Sequence, residues 1–429
     1  MPHPHYIENL LDLKDTNIEV LHEVEPERRM IRGRECKVIH ARLSPPVTAC
    51  PVCGSLREEI IKHGTKPSMI KINQVTGVET YLQLKKQRYY CKACQSTFTA
   101  TTKLVEKGCV LSKPLKMAIL LQAQRVRSEK DIARDFGVSH QTVHRLIHQR
   151  HFQLKSSFDY LPSFLGFDEF KSVKSARGAM SFILCDAYNK ELIDIVEDRR
   201  LPSLIQYFHR FDLRVRSRVR GIVIDMYEPY IQLIKQCFPK AEIIIDRFHV
   251  VQHLSRAMNK IRIQTLKRFH NQSLEYRLLK RHWQLLLKPR EDLSDRYYRY
   301  RLLDQLITHR ELVERILSID EELQTNWLAY QNLLMSFRKR DEKRFFHWLD
   351  EYRKHLHPHL NTVIETFHKL SPAIRNSFRT NLTNGIVEGM NNKIKLIKRV
   401  SYGYRSFLNF RTRIMLCFTL TKKTAQPEW

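Results

Sequence analysis

Glycine is scarce, 12 in 429 residues. Against abundant Leu, Ile, Lys and Arg, that shortage leans the chain towards helix. Acidic residues are also few, 45 Asp and Glu against 74 Lys and Arg. No apolar run approaches the roughly 18 residues of a membrane span, and no internal repeat or low-complexity tract is evident. The opening MPHPHYIENLLDLKD lacks the basic start and apolar stretch of a secretory leader. A membrane protein, an exported disulfide scaffold and a repeat array are therefore excluded as expectations. With no export signal, the nine Cys are read as reduced thiols or metal ligands rather than disulfides.

What is present is positive charge. The formal net charge is +29, and such an excess repels itself unless an anion balances it, so it points to a polyanion bound by phosphate neutralisation. The basic residues are interleaved with Phe, Tyr and Leu rather than collected in a tail, which argues for folded domains. The length suggests two to four of them.

Two C-x-x-C pairs stand early in the chain, Cys50-Pro-Val-Cys53 and Cys91-Lys-Ala-Cys94. Each pair presents two thiolates from one tight turn, and two turns complete a tetrahedral structural zinc site. Gly54 suits a turn that needs positive φ. The gap of 37 residues exceeds the roughly 15–20 of a compact zinc ribbon. Its alternating segment MIKINQVTGVETYLQLKKQRYY predicts an inserted β-hairpin. Cys36, Cys109, Cys185, Cys237 and Cys417 lack paired spacing and are expected to be core or surface thiols.

From about residue 112 the pattern becomes helical. SEKDIARDFGVSHQTVHRLIHQR has the phrasing of a helix-turn-helix: Ser128 with Asp131 resembles a capping box, Gly137 gives the turn and Ser139 caps the second helix. Val143, Leu146 and Ile147 form that helix's apolar stripe. His140, Gln141, His144, Arg145 and His148 are left facing outward, Gln141 and Arg145 as candidate base readers. Arg125, Arg127, Arg134 and Arg150 are expected to position phosphates.

Three carboxylates carry the catalytic expectation. SFLGFDEF, GAMSFILCDAY and ELIDIVED read as strands, LPSLIQYFHRF as a helix, RGIVIDM as a strand, YEPYIQLIKQCF as a helix and AEIIID as a strand. This β-β-β-α-β-α-β order is that of an RNase H-like fold, with Asp168 on the first strand and Asp225 ending the fourth. Glu169 falls on the opposite strand face by alternation. Downstream, Glu388 shares a helix face with Asn392, Lys395 and Arg399, beside the apolar stripe Val387, Met390, Ile394 and Ile397. Two strand-end aspartates and a helical glutamate can hold two Mg²⁺ (or Mn²⁺) ions for attack on a phosphodiester. Asp246 and His249 in IIDRFHVVQH are read as an accessory or structural pair. The basic, aromatic stretch of about 130 residues before Glu388 is too long for a loop and is read as a helical insertion, with Trp283, Trp327 and Trp348 in its core.

Taken together, GFDEF, VIDM, IDRFHVVQH and NGIVEGMNNKIKLIKR followed by SYGYRSFLNFRTR resemble the ISL-three (ISL3) family of bacterial insertion-sequence transposases, which are DDE-type enzymes. The E-G-x-N-N-K-I-K run and Tyr402-Gly403-Tyr404-Arg405 are the most specific parts. The resemblance implies a catalytic triad of Asp168, Asp225 and Glu388, and N-terminal modules that recognise terminal inverted repeats. It also implies Mg²⁺ chemistry without a covalent protein–DNA intermediate and a dimer or higher oligomer on DNA. The composition, with no secretory leader or membrane span and a large positive charge, is read as cytoplasmic and nucleoid-associated.

The expected fold is multidomain α+β. It comprises a zinc-ribbon-like β module (1–108), a helix-turn-helix (109–155), an RNase H-like core in two parts (160–252 and 381–415), an all-helical insertion between them (253–380) and a tail (416–429). The DNA-contacting set is Arg134, Ser139, His140, Gln141, His144, Arg145, Asn392, Lys395, Arg399, Tyr404 and Arg405. Two other readings stay open: a noncatalytic zinc and helix-turn-helix regulator, and a nuclease or resolvase that cuts without joining.

Overall fold

The computed structural model describes residues 6–154, 157–353, 355–382 and 385–419. The chain divides into two compact units. The first comprises residues 1–155, 396–404 and 408–429; the second comprises residues 156–395 and 405–407. No helix among the described residues is long and apolar enough to cross a membrane.

The first unit begins with a six-stranded sheet: β1 (Ile18–Val20), β2 (Glu27–Ile31), β3 (Arg34–Leu43), β4 (Ile60–Val75), β5 (Val78–Cys91) and β6 (Thr97–Thr99). Its main path runs β1-β3-β5-β4, with β2 on β3 and β6 on β5. The expected hairpin is β4–β5, 16 and 14 residues long. Val75 pairs with Val78 across Thr76 and Gly77, whose φ values of 53° and 74° are those of a two-residue I′ turn matching the strand twist. Alternate positions of β5 (Thr80, Leu82, Leu84) are buried, so one face packs on Ile39, Ala41, Ile70 and Ile72.

Three helices follow: α1 (Lys113–Ala123), α2 (Glu129–Asp135) and α3 (His140–Gln149). Ser112, Ser128 and Ser139 each accept a backbone N–H at their helix starts, which satisfies an otherwise orphaned donor. Ser128 also donates its hydroxyl to Asp131, so the pair caps the helix without the reciprocal bond of a full box. Gly137 is required twice over. Its φ is +58°, and an added Cβ would lie 1.9 Å from Glu79 Oε1. Lys71 donates to Gly137 O and Gln74 to Asp135 O, so the sheet's donors satisfy carbonyls at the end of α2.

The second unit is built on a five-stranded sheet: β7 (Phe164–Lys171), β8 (Met180–Asp186), β9 (Glu191–Val196), β10 (Gly221–Ile224) and β11 (Glu242–Ile245). The order is β11-β10-β7-β8-β9; β8 is antiparallel to both neighbours, and the β11-β10-β7 run is parallel. Two helices, α4 (Leu201–Phe208) and α5 (Glu228–Cys237), cover one face. There Phe167, Phe182, Phe208, Tyr230 and Phe238 meet ring to ring. The long helix α6 (Arg247–Lys267) leaves the end of β11.

Between α6 and Glu388 the chain is mostly helical, but the expectation of an all-helical insertion is corrected. Tyr297–Tyr300 and Gln305–Thr308 form an antiparallel hairpin. Its first strand, Tyr-Tyr-Arg-Tyr, favours a pleated surface, and the connecting loop ends on Asp304 at φ +45°. Trp327 is buried and donates to Leu286 O at 2.9 Å. Trp348 is partly buried, whereas Trp283 is 40% exposed and is not core. The helix Ser371–Arg379 packs on β11. Its Asn376 and Ser377 donate to Ile243 O and Ile245 O, which blunts the free edge of that strand.

Two last helices are α7 (Gly385–Val400) and α8 (Phe407–Thr419). The stripe Val387, Met390, Ile394 and Ile397 is buried as expected. Residues 381–415 and 416–429 were read as core and tail, yet Phe407–Thr419 is one helix. Its Leu416 joins the core of α1, α2 and α3. The fully buried Arg413 donates to Ala123 O, Arg125 O and Arg127 O, so the first unit's helical bundle is finished by a segment about 260 residues downstream.

Candidate active site and metal centre

Cys50, Cys53, Cys91 and Cys94 converge, every sulfur within 4.8 Å of every other. The Cys50–Cys94 and Cys53–Cys91 Sγ distances are both 3.7 Å. A tetrahedron with Zn–S bonds of about 2.3 Å has edges of about 3.8 Å, so the four thiols fit a structural zinc ion. The two turns are equivalent. Gly54 and Gln95, each following the second Cys of its pair, both have positive φ. Cys50 N donates to Ser55 O and Cys91 N to Ser96 O. The Cys53 N–H holds the Cys50 thiol below its usual range, and the Ser55 and Ser96 hydroxyls do the same for Cys53 and Cys94. At Cys91 the Cys94 N–H pulls down, but burial and the neighbouring thiols prevail and push it to about 11. Of the unpaired cysteines, Cys36, Cys185, Cys237 and Cys417 are buried and Cys109 is exposed, as their sequence context suggested.

In the second unit the acids come from the sheet. The parallel register Gly221↔Phe164 to Val223↔Gly166, carried two residues further, sets Asp225 level with Asp168. Asp168 Oδ1 accepts the Glu169 N–H at 2.8 Å, and Asp225 Oδ1 accepts the Tyr227 N–H at 3.0 Å. Both are half-buried. Burial pushes the Asp168 carboxyl up to about 6, with Glu169 and Asp225 adding to the rise against the pull of the Glu169 N–H and His249. Burial, then Glu169, raises Asp225 as well. A carboxyl whose proton affinity is raised by burial and by neighbouring acids is a place where a cation would be welcome.

Glu388 is exposed in the first turn of α7, and the three acids do not all lie within 4.8 Å of one another. Their link runs through Asn391, one turn along α7. Its Nδ2 donates to Asp168 Oδ2 at 2.7 Å and to Glu169 O at 3.2 Å. Sequence reasoning chose Asn392, which is exposed, and missed Asn391. The i, i+3 spacing from Glu388 was the available signal.

Glu169 lies on the opposite strand face, where it pairs with Arg199 and accepts from Tyr230 at 2.9 Å. The Arg199 guanidinium in turn lies 4.8 Å over the Tyr227 ring, and this network was not foreseen. His249 Nε2 is 3.9 Å from Asp246 Oδ2, too long for a hydrogen bond. His249 is nonetheless near enough to act electrostatically on Asp168 and Asp225. Asp186 and Asp194 on the neighbouring strands are occupied locally: Asp186 accepts from Tyr188 N and Asn189 N, Asp194 from the Tyr207 hydroxyl.

Of the residues expected to touch DNA, Arg134, Ser139, His140, Gln141, Arg145, Asn392, Lys395, Arg399 and Arg405 are exposed. His144 is half-buried and bonds Glu129. Tyr404 stacks on Phe410 at 4.9 Å and its hydroxyl meets Ser401; burial pushes that phenol up to about 12.

Two family models and one long relative point to the same family. A model of the ISL3 family, described as "Transposase", matches residues 165–414, and a "zinc-finger of transposase IS204/IS1001/IS1096/IS1165" matches residues 46–94. The transposase for insertion sequence element IS1001 of Bordetella parapertussis is 26% identical over 387 residues, covering 89% of this chain and 91% of that protein. An ATP-dependent protease of Lactococcus lactis subsp. lactis is 36% identical over 110 residues, 26% of this chain and 35% of that protein. Among solved structures, the Drosophila P element transposase strand transfer complex matches at 11% identity with a TM-score of 0.39, covering 72% of this chain and 92% of that one. With the family model spanning more than half of its length, the chain belongs to the ISL3 family of insertion-sequence transposases.

Proposed function

We propose that this transposase binds the terminal inverted repeats of its element and cuts and joins DNA by DDE-type, metal-dependent chemistry on an RNase H-like sheet. The observation that carries the reading is the approach of three distant segments. Asp225, one residue past β10, falls level with Asp168 when the parallel β10–β7 register is extended, and Asn391, from the helix that bears Glu388, holds Asp168 Oδ2. The β-β-β-α-β-α-β order with a single antiparallel strand between β7 and β9 supports the fold assignment.

Asp168, Asp225 and Glu388 are the residues that would hold divalent cations, Mg²⁺ or Mn²⁺, and the all-oxygen donor set suits such hard ions. When bound, a pair of these ions activates the attacking hydroxyl and stabilises the leaving oxygen. The protein's own part is positional. Asn391 fixes the orientation of Asp168, and the Glu169–Arg199–Tyr230 network braces the opposite face of β7. Asp246 is buried at the N-cap position of α6.

Recognition is assigned to the first unit, with α2 and α3 as a helix-turn-helix and the four cysteines holding structural zinc. Exposed Gln141 and Arg145 would read base edges. Arg134, Ser139 and His140, with Asn392, Lys395, Arg399 and Arg405, would hold phosphates. A dimer or larger assembly on DNA accords with two element ends being joined.

Strand cleavage and joining on a plasmid carrying the gene with its flanking DNA tests the reading. Purified protein with Mg²⁺ is compared with the Asp225→Asn and Glu388→Gln proteins. Cuts at the inverted repeats and strand transfer are expected, both lowered at least about a thousandfold in either variant. Tight, specific binding with no cleavage under Mg²⁺ or Mn²⁺ would overturn it in favour of a regulator.

A further inference from the structure

We propose that Glu129, His144 and His148 form a second metal site in the first unit, separate from the cysteines, that takes Zn²⁺ or a similar borderline divalent ion. Glu129 opens α2, and the two histidines lie one turn apart on α3, so i, i+4 spacing puts both imidazoles on the face that meets α2. One ligand atom from each lies within 4.8 Å of the other two. Glu129 Oε2 is 3.0 Å from His144 Nδ1, and His148 Nε2 is 3.1 Å from that same Nδ1. Ligands held about 2.0–2.1 Å from one tetrahedral ion stand about 3.3 Å apart, which these atoms nearly match without an ion to draw them together.

Hydrogen bonding alone accounts poorly for the arrangement. A hydrogen on His144 Nδ1 serves Glu129 and leaves the lone pair of His148 Nε2 without one. A hydrogen on His148 Nε2 serves His144 and sets the Nδ1 lone pair against a carboxylate. Either way one close contact opposes two acceptors, and a cation relieves both.

The carboxylate also lacks an obvious counter-ion. Glu129 is only 9% exposed, and its ion pairs among the described residues are with His140 and His144. The buried guanidinium of Arg413 is committed to the carbonyls of Ala123, Arg125 and Arg127. A buried carboxylate left with imidazoles for partners is costly unless one of them is protonated or a metal is present. Two imidazoles and a carboxylate are a donor set for zinc and its neighbours rather than for Mg²⁺. A water completes four-coordination. Such an ion would clamp α3 to α2. Its consequence for DNA, a fixed setting of Gln141 and Arg145, rests on the helix-turn-helix reading, whereas metal binding itself does not.

The test uses the full chain carrying Asp168→Asn and Asp225→Asn, which silence the carboxylate site. Metal analysis after zinc loading and gel filtration is expected to give two zinc ions per chain, and one when Glu129→Gln or His148→Gln is added. Affinity for the second ion should fall at least about tenfold in either. Cobalt substitution provides the folding control. The thiolate-to-cobalt charge-transfer band of the cysteine site should persist in both variants, while the visible bands of a second, sulfur-free cobalt disappear. One zinc per chain before either change, or a second zinc indifferent to both, would overturn the site and leave a protonated histidine–carboxylate cluster in its place.

Discussion

Glu79 in the first unit and Asp168 in the second are both largely withdrawn from water, and they are shifted in opposite directions. Burial pushes each carboxyl up. At Glu79 the hydrogen bonds from Lys71 and Arg34 outweigh it and hold the group below its ordinary range. At Asp168 the neighbouring acids reinforce burial, and the group rises to about 6. The first unit neutralises this charge from within, with Lys71 Nζ 2.6 Å from Glu79 Oε2 and itself 4% exposed. The second gathers two acids with an asparagine and a histidine but no lysine or arginine bonded to either aspartate among the described hydrogen bonds. The Glu79 carboxylate arrives with its cation; on the proposed function, Asp168 would recruit one as a metal ion.

The sharpest way to break that contrast is to open the cysteine site. Cys91 is fully buried at the end of β5, and a structural zinc ion contributes on the order of 10 kcal/mol to small metal-stabilised folds. Cys91→Ser protein is expected to lose the zinc of the cysteine site and the protease protection of the segment around residues 46–99. The sheet of the second unit, whose core contains none of these residues, should keep its protection. Limited proteolysis with mass mapping, alongside metal analysis, checks both halves. Undiminished zinc, or collapse of both units together, would remove the separation between an internally closed unit and an open site.

How legible these sites were in the sequence follows from how locally each is encoded. The cysteines announce themselves through two short spacings, and the intervening hairpin through alternation and a Thr-Gly turn. The succession of strands and helices in the second unit was readable because each element carries its own period. What escaped was assembly over distance. Asn391 reaches Asp168 across 223 positions, and α8 completes a bundle near the other end of the chain; neither leaves a local pattern. The Tyr297–Tyr300 hairpin was misread because a basic, aromatic run amid helices fits both periods over four residues. Tyr404 looked like a surface contact because its packing partner, Phe410, lies in the next element.

Asn391 offers a finer probe of the open site. Asn391→Ala removes the donor that orients Asp168 Oδ2 but leaves every proposed metal ligand in place. Strand cleavage is expected to fall about 10- to 100-fold, the cost typical of losing support to a metal ligand. The Mg²⁺ concentration for half-maximal rate should rise, and the melting temperature should shift little. A lowered rate with an unchanged Mg²⁺ requirement would show that the asparagine does not act through Asp168.

The smallest expected effect concerns the closed side of the comparison and can be read from pH alone. Because the folded-state pKa of Glu79 is depressed from its ordinary value near 4.5, its ionisation favours the folded form. That contribution is fully present above about pH 4.5 and is lost as the pH falls through the lower folded value. Glu79→Gln keeps the shape but not the charge and leaves Lys71 buried without its carboxylate, at a cost of about 1–3 kcal/mol near neutrality. The parent and the variant should therefore differ in unfolding free energy at pH 7 and converge as the solution is acidified below about pH 4. Parallel curves across that range would mean that Glu79 contributes by packing rather than by charge. The opposition between a cation-matched acid in one unit and a cation-seeking pair in the other would then rest on Asp168 and Asp225 alone.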